Sequence, residues 1–351
     1  MKFAPDVKNA AMFSLPVFSS KRLGIDLGTS NCLVWSSGEG VVISEPSVVA
    51  IDSGSGKVVA VGTQAHEMLG KTGSDLVAQK PLRDGVVADY LVCEAMLKYF
   101  LDRVLKSSRF LKPEVMVCVP YGITQVERRA VLEATLSAGA KTAYLIEAPL
   151  AAAIGAKLPI DAPYGSMIVD IGGGQVGAAV VSLGGIVAAG SARAGGDKLN
   201  EAIITYVKRI HNLVIGDRMA EEIKTTIGSA IPINPKKTMD IKGRDSISGM
   251  PKTTVVDSLE VNEAISPILG AIIATIKQVL EQTPPELSSD IIDRGIVLCG
   301  GSSYLKGLDR YVSSQIGVSA HVAEDAMQCV VYGTGIALEN VDNWRRIVQK
   351  R

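Results

Sequence analysis

Between residues 166 and 192, SMIVDIGGGQVGAAVVSLGGIVAAGSA, apolar positions crowd into three short runs separated by glycine turns. That pattern predicts a strand, a turn, a second strand, a Gly184-Gly185 turn and a third strand. The same pattern occurs over 22–47, RLGIDLGTSNCLVWSSGEGVVISEPS, with turns at 27–31 and 37–40. An aspartate precedes the first turn of each copy, Asp26 and Asp170, 144 positions apart. The chain therefore reads as a divergent internal duplication.

Elsewhere the apolar period alternates between two and 3.6 residues. Two short strands flank a turn cluster at 52–56, and a short helix is expected over 64–71. Residues 80–90 read as a loop, followed by a helix over 91–105, a strand over 114–120 and a helix over 124–138. A strand at 144–146 runs into a helix of small residues, 150–156, a candidate hinge between lobes. After the second copy come helices over 198–211, with Asp197 as the expected cap, and 220–227. Punctuated strands fill 231–259, a core helix is expected over 264–280, and Thr283-Pro284-Pro285-Glu286 makes a break and cap. A strand at 295–298 ends in a third glycine turn, Gly300-Gly301, before a helix over 305–316, a strand near 320–323 and a helix near 329–338. Strands alternating with helices in two similar halves predict an α/β protein with a cleft between lobes.

Composition narrows the class. With 351 residues, 47% hydrophobic and 21% charged, the chain is long enough for two lobes and too apolar for wholesale disorder. Lys+Arg and Asp+Glu both number 36, so the basic excess of a generic nucleic-acid binder is missing. Five cysteines include no C-x-x-C pair, four of them sit in apolar runs as expected buried free thiols, and the odd count points to a reducing cytosol; three scattered histidines give no metal-like spacing. No run is read as spanning a bilayer. The segment 10–18, AAMFSLPVF, is open to two readings, a peripheral membrane anchor or a lead-in. Phe110 and Leu111, in a polar loop, are either folded back on the core or aimed at a partner.

The chemistry lies in the paired turns. Glycine turns let backbone N–H groups approach a phosphate, and an adjacent carboxylate can hold Mg²⁺. One D-x-G turn is an ordinary hairpin end; two in matching settings read as jaws closing on one nucleotide.

These turns resemble those of the actin-like ATPase superfamily, and the chain is similar over most of its length to the MreB family of bacterial rod-shape proteins. The resemblance rests on DLGTSN (26–31), SEPSVVAI (44–51), RDGVVADY (83–90), CVPYGITQVERRAV (118–131), APLAAAIGAKLP (148–159), GSMIVDIGGG (165–174), GGDKLNEAII (195–204), AEEIKTTIGSA (220–230), TPPELSSDIIDRGIVLCGG (283–301) and HVAEDAMQCVVYGTGIALEN (321–340). It implies an actin-like fold of two duplicated lobes, four subdomains in all, around an ATP–Mg²⁺ cleft. The lobes would be 21–155, with a small insertion at about 46–80 and completion by about 325–351, and 156–324, with an insertion at about 197–263. Residues 1–20 would be a separate amino-terminal segment.

On this resemblance Asp26 and Asp170 would hold Mg²⁺ through water, and Gly28, Thr29, Ser30, Asn31, Gly172, Gly173 and Gly174 would cradle the phosphates of ATP or ADP. Glu221, Lys224, Gly300 and Gly301 would flank the adenosine, with Gly195 and Gly196 nearby. The family assembles into protofilaments on the cytoplasmic face of the membrane. Phe13, Leu15 and Phe18, with Phe110 and Leu111, occupy the places of its membrane contacts. Self-association, co-assembly with paralogues, an anionic membrane surface and membrane cell-shape proteins are the implied partners; nucleic acid is not.

Two departures stand out. The family's Glu-Glu-Pro is here Glu147-Ala148-Pro149, so the glutamate expected to orient attacking water is alanine. Its Gly-Gly-Gly-Thr-Thr-Glu turn is here Gly172-Gly173-Gly174-Gln175-Val176-Gly177. Losing a positioned base costs about 10²–10⁴ in rate. The expectation is ATP binding with weak or absent hydrolysis, Gln175 and Ala148 occupying the hydrolytic positions. The alternatives, an active ATPase or a small-molecule kinase of the same superfamily, would require a catalytic carboxylate that the sequence does not offer.

Overall fold

The structure is a computed structural model that describes residues 20–73, 75–105, 112–342 and 349–350. The five apolar positions assigned to membrane contact, Phe13, Leu15, Phe18, Phe110 and Leu111, lie outside the described residues.

The first half opens with an antiparallel meander, β1 (Arg22–Leu27), β2 (Asn31–Ser36) and β3 (Gly40–Pro46). There follow β4 (Val49–Asp52), β5 (Val58–Val61), α1 (Thr63–Met68), β6 (Leu76–Gln79) and a two-residue hairpin, β7 (Leu82–Arg83) and β8 (Val86–Val87). Then come α2 (Tyr90–Leu105), β9 (Glu114–Val119), α3 (Gln125–Ser137), β10 (Thr142–Glu147) and α4 (Ala148–Gly155).

The second half repeats the opening meander as β11 (Ser166–Ile171), β12 (Val176–Ser182) and β13 (Gly185–Ala192). It continues with α5 (Gly196–His211), β14 (Leu213–Val214), α6 (Asp217–Thr226), β15 (Thr238–Asp245), β16 (Pro251–Asp257) and α7 (Ser258–Glu281). It ends with α8 (Pro285–Arg294), β17 (Ile296–Cys299), α9 (Leu308–Ile316), β18 (Ala320–Val322), α10 (Cys329–Glu339) and β19 (Gln349–Lys350).

Strand order carries the duplication. One sheet runs β19-β10-β9-β1-β2-β3 and the other β18-β17-β11-β12-β13, so from β10 and β18 onward the two match strand for strand. In each, the first strand pairs antiparallel with its hairpin partner and parallel with the strand on its other side, β9 or β17. Each half also carries a small three-stranded sheet, β5-β4-β6 in the first and β14-β15-β16 in the second.

Three local expectations change, and the core reading of the helix over 264–280 holds in a longer helix. The stretch 80–90 holds the β7–β8 hairpin, whose Asp84 and Gly85 have φ of 52° and 83°; Asp-Gly is the residue pair such a turn prefers. The proline break at 284–285 starts a helix, α8, with Pro285 at a position that needs no N–H donor. The cap of α5 is Gly195 and not Asp197, which lies inside the first turn. Helix α7 spans 24 residues, long and apolar enough to cross a membrane by length and composition, but Val261, Ile265, Leu269, Ile272, Ile276 and Val279 are buried in the core of the second half.

Helices α4 and α10 join the halves. Helix α4 follows the first sheet but packs on β11 and β12 of the second, while α10 packs on β1 and β9 of the first. Together they close an apolar core shared by both sheets, with Met116 and Ile146 on one side and Ile168, Ala179 and Val297 on the other. The helices approach backbone to backbone: a Cβ on Gly333 would overlap the Ala151 carbonyl, and one on Gly155 the Cys329 carbonyl. Gly333→Ala is therefore expected to cost about 3 kcal/mol or more by forcing the helices apart. Urea unfolding measures this; a loss below about 1 kcal/mol would contradict the close approach.

Candidate functional site

The two glycine turns meet edge to edge where the lobes face one another. A Cβ on Gly173 would collide with the Ser30 hydroxyl, and one on Gly174 with the Thr29 hydroxyl. Glycine is required there because the backbone of one turn lies against the side chains of the other. Ser47 Oγ donates to the Gly28 carbonyl (2.6 Å) and Thr29 Oγ1 accepts from the Gly85 amide (2.9 Å), which ties the first turn to the β7–β8 hairpin. The second turn is tied to α5, whose Gly196 and Asp197 amides donate to the Gly172 and Gly173 carbonyls at 3.0 and 2.8 Å. Ser302 Oγ, from the third glycine turn, donates to the Gly172 carbonyl at 2.9 Å. Asn31 begins β2 and is half-buried.

Asp26 and Asp170 end matching strands at the floor of this junction. Burial raises Asp26 to about 6, with the Cys118 thiol, Sγ–Oδ1 3.1 Å, pulling the other way. Burial and the charge of Asp26 raise Asp170 to about 7, against the weaker pull of the Cys299 thiol at 3.9 Å. Gly300 lies against Asp170: with φ of 81° it occupies a region that suits glycine, and a Cβ there would meet the carboxylate and the Ile171 carbonyl. A divalent cation between the two carboxylates would relieve both the burial and the repulsion. Among the described residues no group of three or more His, Cys, Asp or Glu is placed to hold a metal, so water or phosphate oxygens would complete its shell.

At the other end, Lys224 is buried, donates to Glu221 Oε2 at 2.7 Å and reaches the Gly196 carbonyl at 3.4 Å. Burial would push the Glu221 carboxyl up, but Lys224, the Asn200 amide (2.8 Å) and the charge of Lys80 hold it below the usual range. Asn200 Oδ1 is buried with no hydrogen-bond partner among the described residues. Gly195 packs against the Gly173 carbonyl, and Gly301 opens a short helical turn after Gly300.

Ala148 is the first residue of α4 and is buried, part of the core cluster that also holds Met116, Tyr144 and Ile146. Glu147 turns the other way and pairs with Arg128 of α3 at 2.7 Å, as strand alternation requires. Pro149 faces Gly177, which puts the start of α4 beside the second turn. The Gln175 side chain lies against Gly85, next to Pro120. The structure thus gathers the predicted residues at one junction and adds Asn200, Ser302, Cys118, Lys80 and the β7–β8 hairpin. Of these, only the Asp84-Gly85 turn carried a sequence signal strong enough to find it.

Comparison with known proteins gives the same grouping. A family profile described as MreB/Mbl protein matches residues 20–346. The cell shape-determining protein Mbl of Bacillus subtilis is 47% identical over 323 residues, covering 92% of this chain and 97% of its own. The cell shape-determining protein MreB of Escherichia coli is 48% identical over 329 residues, covering 92% and 94%. The crystal structure of MreB5 of Spiroplasma citri bound to AMPPNP superposes with a TM-score of 0.88 at 33% identity, covering 93% of this chain and 98% of that one.

Proposed function

The chain belongs to the MreB/Mbl family, and from that premise we propose that it is an ATP-binding, actin-like cell-shape protein that forms membrane-attached filaments and hydrolyses ATP weakly or not at all. The observation that carries the nucleotide reading is the meeting of the two glycine turns beside Asp26 and Asp170, two partly buried carboxylates, the second raised by burial and by the charge of the first. Backbone amides and hydroxyls of 28–31 and 172–174 would take the phosphates. The aspartates would orient Mg²⁺, which supplies charge neutralisation when bound. Glu221 and Lys224 would lie against the adenosine. That the structurally similar MreB5 of Spiroplasma citri is bound to AMPPNP in its crystal supports nucleotide binding by this chain.

Poor hydrolysis rests on Ala148 and Gln175. Glu147 is engaged with Arg128, so it does not stand in for the missing glutamate. Family membership across 20–346 favours a filament protein over a small-molecule kinase. Self-association, with paralogues as further subunits and cell-shape proteins of the membrane as partners, belongs to the same reading, which the relatives named for determining cell shape support as to role. Attachment to the inner face of the membrane would use Phe13, Leu15, Phe18, Phe110 and Leu111.

Purified protein with Mg·ATP and anionic vesicles tests the whole reading by co-sedimentation, electron microscopy and phosphate release. The expected result is nucleotide-dependent filaments on lipid with little phosphate released. Protein that binds Mg·ATP but stays monomeric would overturn the filament reading, and turnover equal to that of an ordinary relative would overturn the hydrolytic one.

A further inference from the structure

We propose that Lys80 and Asp197 form a clasp between the lobes that sets how long a nucleotide stays in the cleft. The proposal rests on the nucleotide-binding reading above and adds to it a pair of residues that govern release.

Lys80 follows β6 in the first half, and Asp197 is the second residue of α5 in the other. Their Nζ–Oδ1 distance is 3.1 Å. The same Oδ1 lies 3.5 Å from Ser30 Oγ, on the first glycine turn. Asp197's own amide donates to the Gly173 carbonyl, so its carboxylate is fixed to the second turn. The charge of Lys80 also reaches Glu221, at the adenosine end. One ammonium therefore stands on the rim of the junction, from the meeting of the turns to the Glu221–Lys224 pair.

Position makes this pair more than a surface contact. The lobes are held at the α4–α10 crossing, where glycines let backbones touch. On the nucleotide reading, parting the lobes opens the junction between the turns, and that movement stretches Lys80 away from Asp197. A second pair across the junction, Arg193 with Asp84, is longer at 3.6 Å, and the Arg193 side chain is 75% exposed. The Lys80 and Asp197 side chains are only 37% and 31% exposed. Half-exposed ion pairs are modest in strength, so loss of the clasp should speed release by about two- to fivefold.

The test is stopped-flow displacement of a fluorescent ATP analogue, with Mg²⁺, from the full chain. Lys80→Met and Asp197→Asn should each raise the dissociation rate about two- to fivefold, and the double variant should be no faster than either single. Raising ionic strength from about 0.05 to about 0.5 M should narrow the gap between wild type and variants. Slower release from Asp197→Asn would overturn the clasp, because Lys80 would then be a phosphate ligand that Asp197 holds back. Unchanged rates, or single effects that multiply in the double variant, would overturn it too. A wild-type chain that binds no analogue would overturn the nucleotide reading itself, and the clasp with it.

Discussion

Replacing Asp170 with asparagine is expected to stabilise the nucleotide-free protein at pH 8 while abolishing Mg²⁺-dependent nucleotide binding. Asp170 is raised from 3.8 to about 7 by burial and by the charge of Asp26. A carboxyl with a raised folded pKa contributes stability that is complete below its unfolded value of about 3.9, and that stability is lost as pH climbs through about 7. The shift of about three units corresponds to about 4 kcal/mol carried as a penalty at pH 8. Asparagine keeps the shape and removes that penalty, so the variant should melt several degrees higher at pH 8. The difference should shrink toward pH 5, where Asp170 is already protonated. Thermal melts of both proteins from pH 5 to 8, without and with Mg·ATP, decide the matter. Wild type should gain stability from Mg·ATP and the variant should not. A variant less stable than wild type at pH 8 would show that the carboxylate charge is not a burden in the empty cleft.

How much of this was legible beforehand depends on the range of the signal. The meanders were, because strand, glycine turn and strand lie within about 20 residues and repeat after 144. The repeat also implied matching sheets, and the strand orders agree. Long-range contacts were less accessible. That Gly333 must be glycine depends on Ala151, on a helix from the other half of the chain. Asp197 was read as a cap because local pattern favours an acid at a helix start. The helix begins instead at Gly196, because Gly195 lies against the second turn, and Asp197 is freed to meet Lys80. The direction of Glu147 could be read from strand alternation, yet its partner Arg128 lies 19 positions earlier on a different element, which local pattern does not reveal.

Restoring the missing hydrolytic groups is the second large expected effect. Ala148→Glu with Gln175→Thr should raise phosphate release by about 10²–10⁴ over wild type, the usual worth of a positioned base. The start of α4 suits the change electrostatically, since a helix amino terminus favours a carboxylate. Packing opposes it: Ala148 is buried in the core cluster that also holds Met116, Tyr144 and Ile146, so the glutamate must extend past Pro149 toward the second turn. A stability loss of about 1–3 kcal/mol is therefore expected, and rates must be compared at saturating nucleotide. Gln175→Thr alone should leave hydrolysis near its starting level while loosening the contact with Gly85 and Pro120. Ala148→Gln, with the same reach and no charge, should recover far less than glutamate. If Ala148→Glu binds Mg·ATP normally and releases no more phosphate than Ala148→Gln, the deficit lies elsewhere in the cleft. If wild type already matches the double variant, Gln175 is itself positioning water, and its place against Gly85 would make the β7–β8 hairpin part of the hydrolytic site.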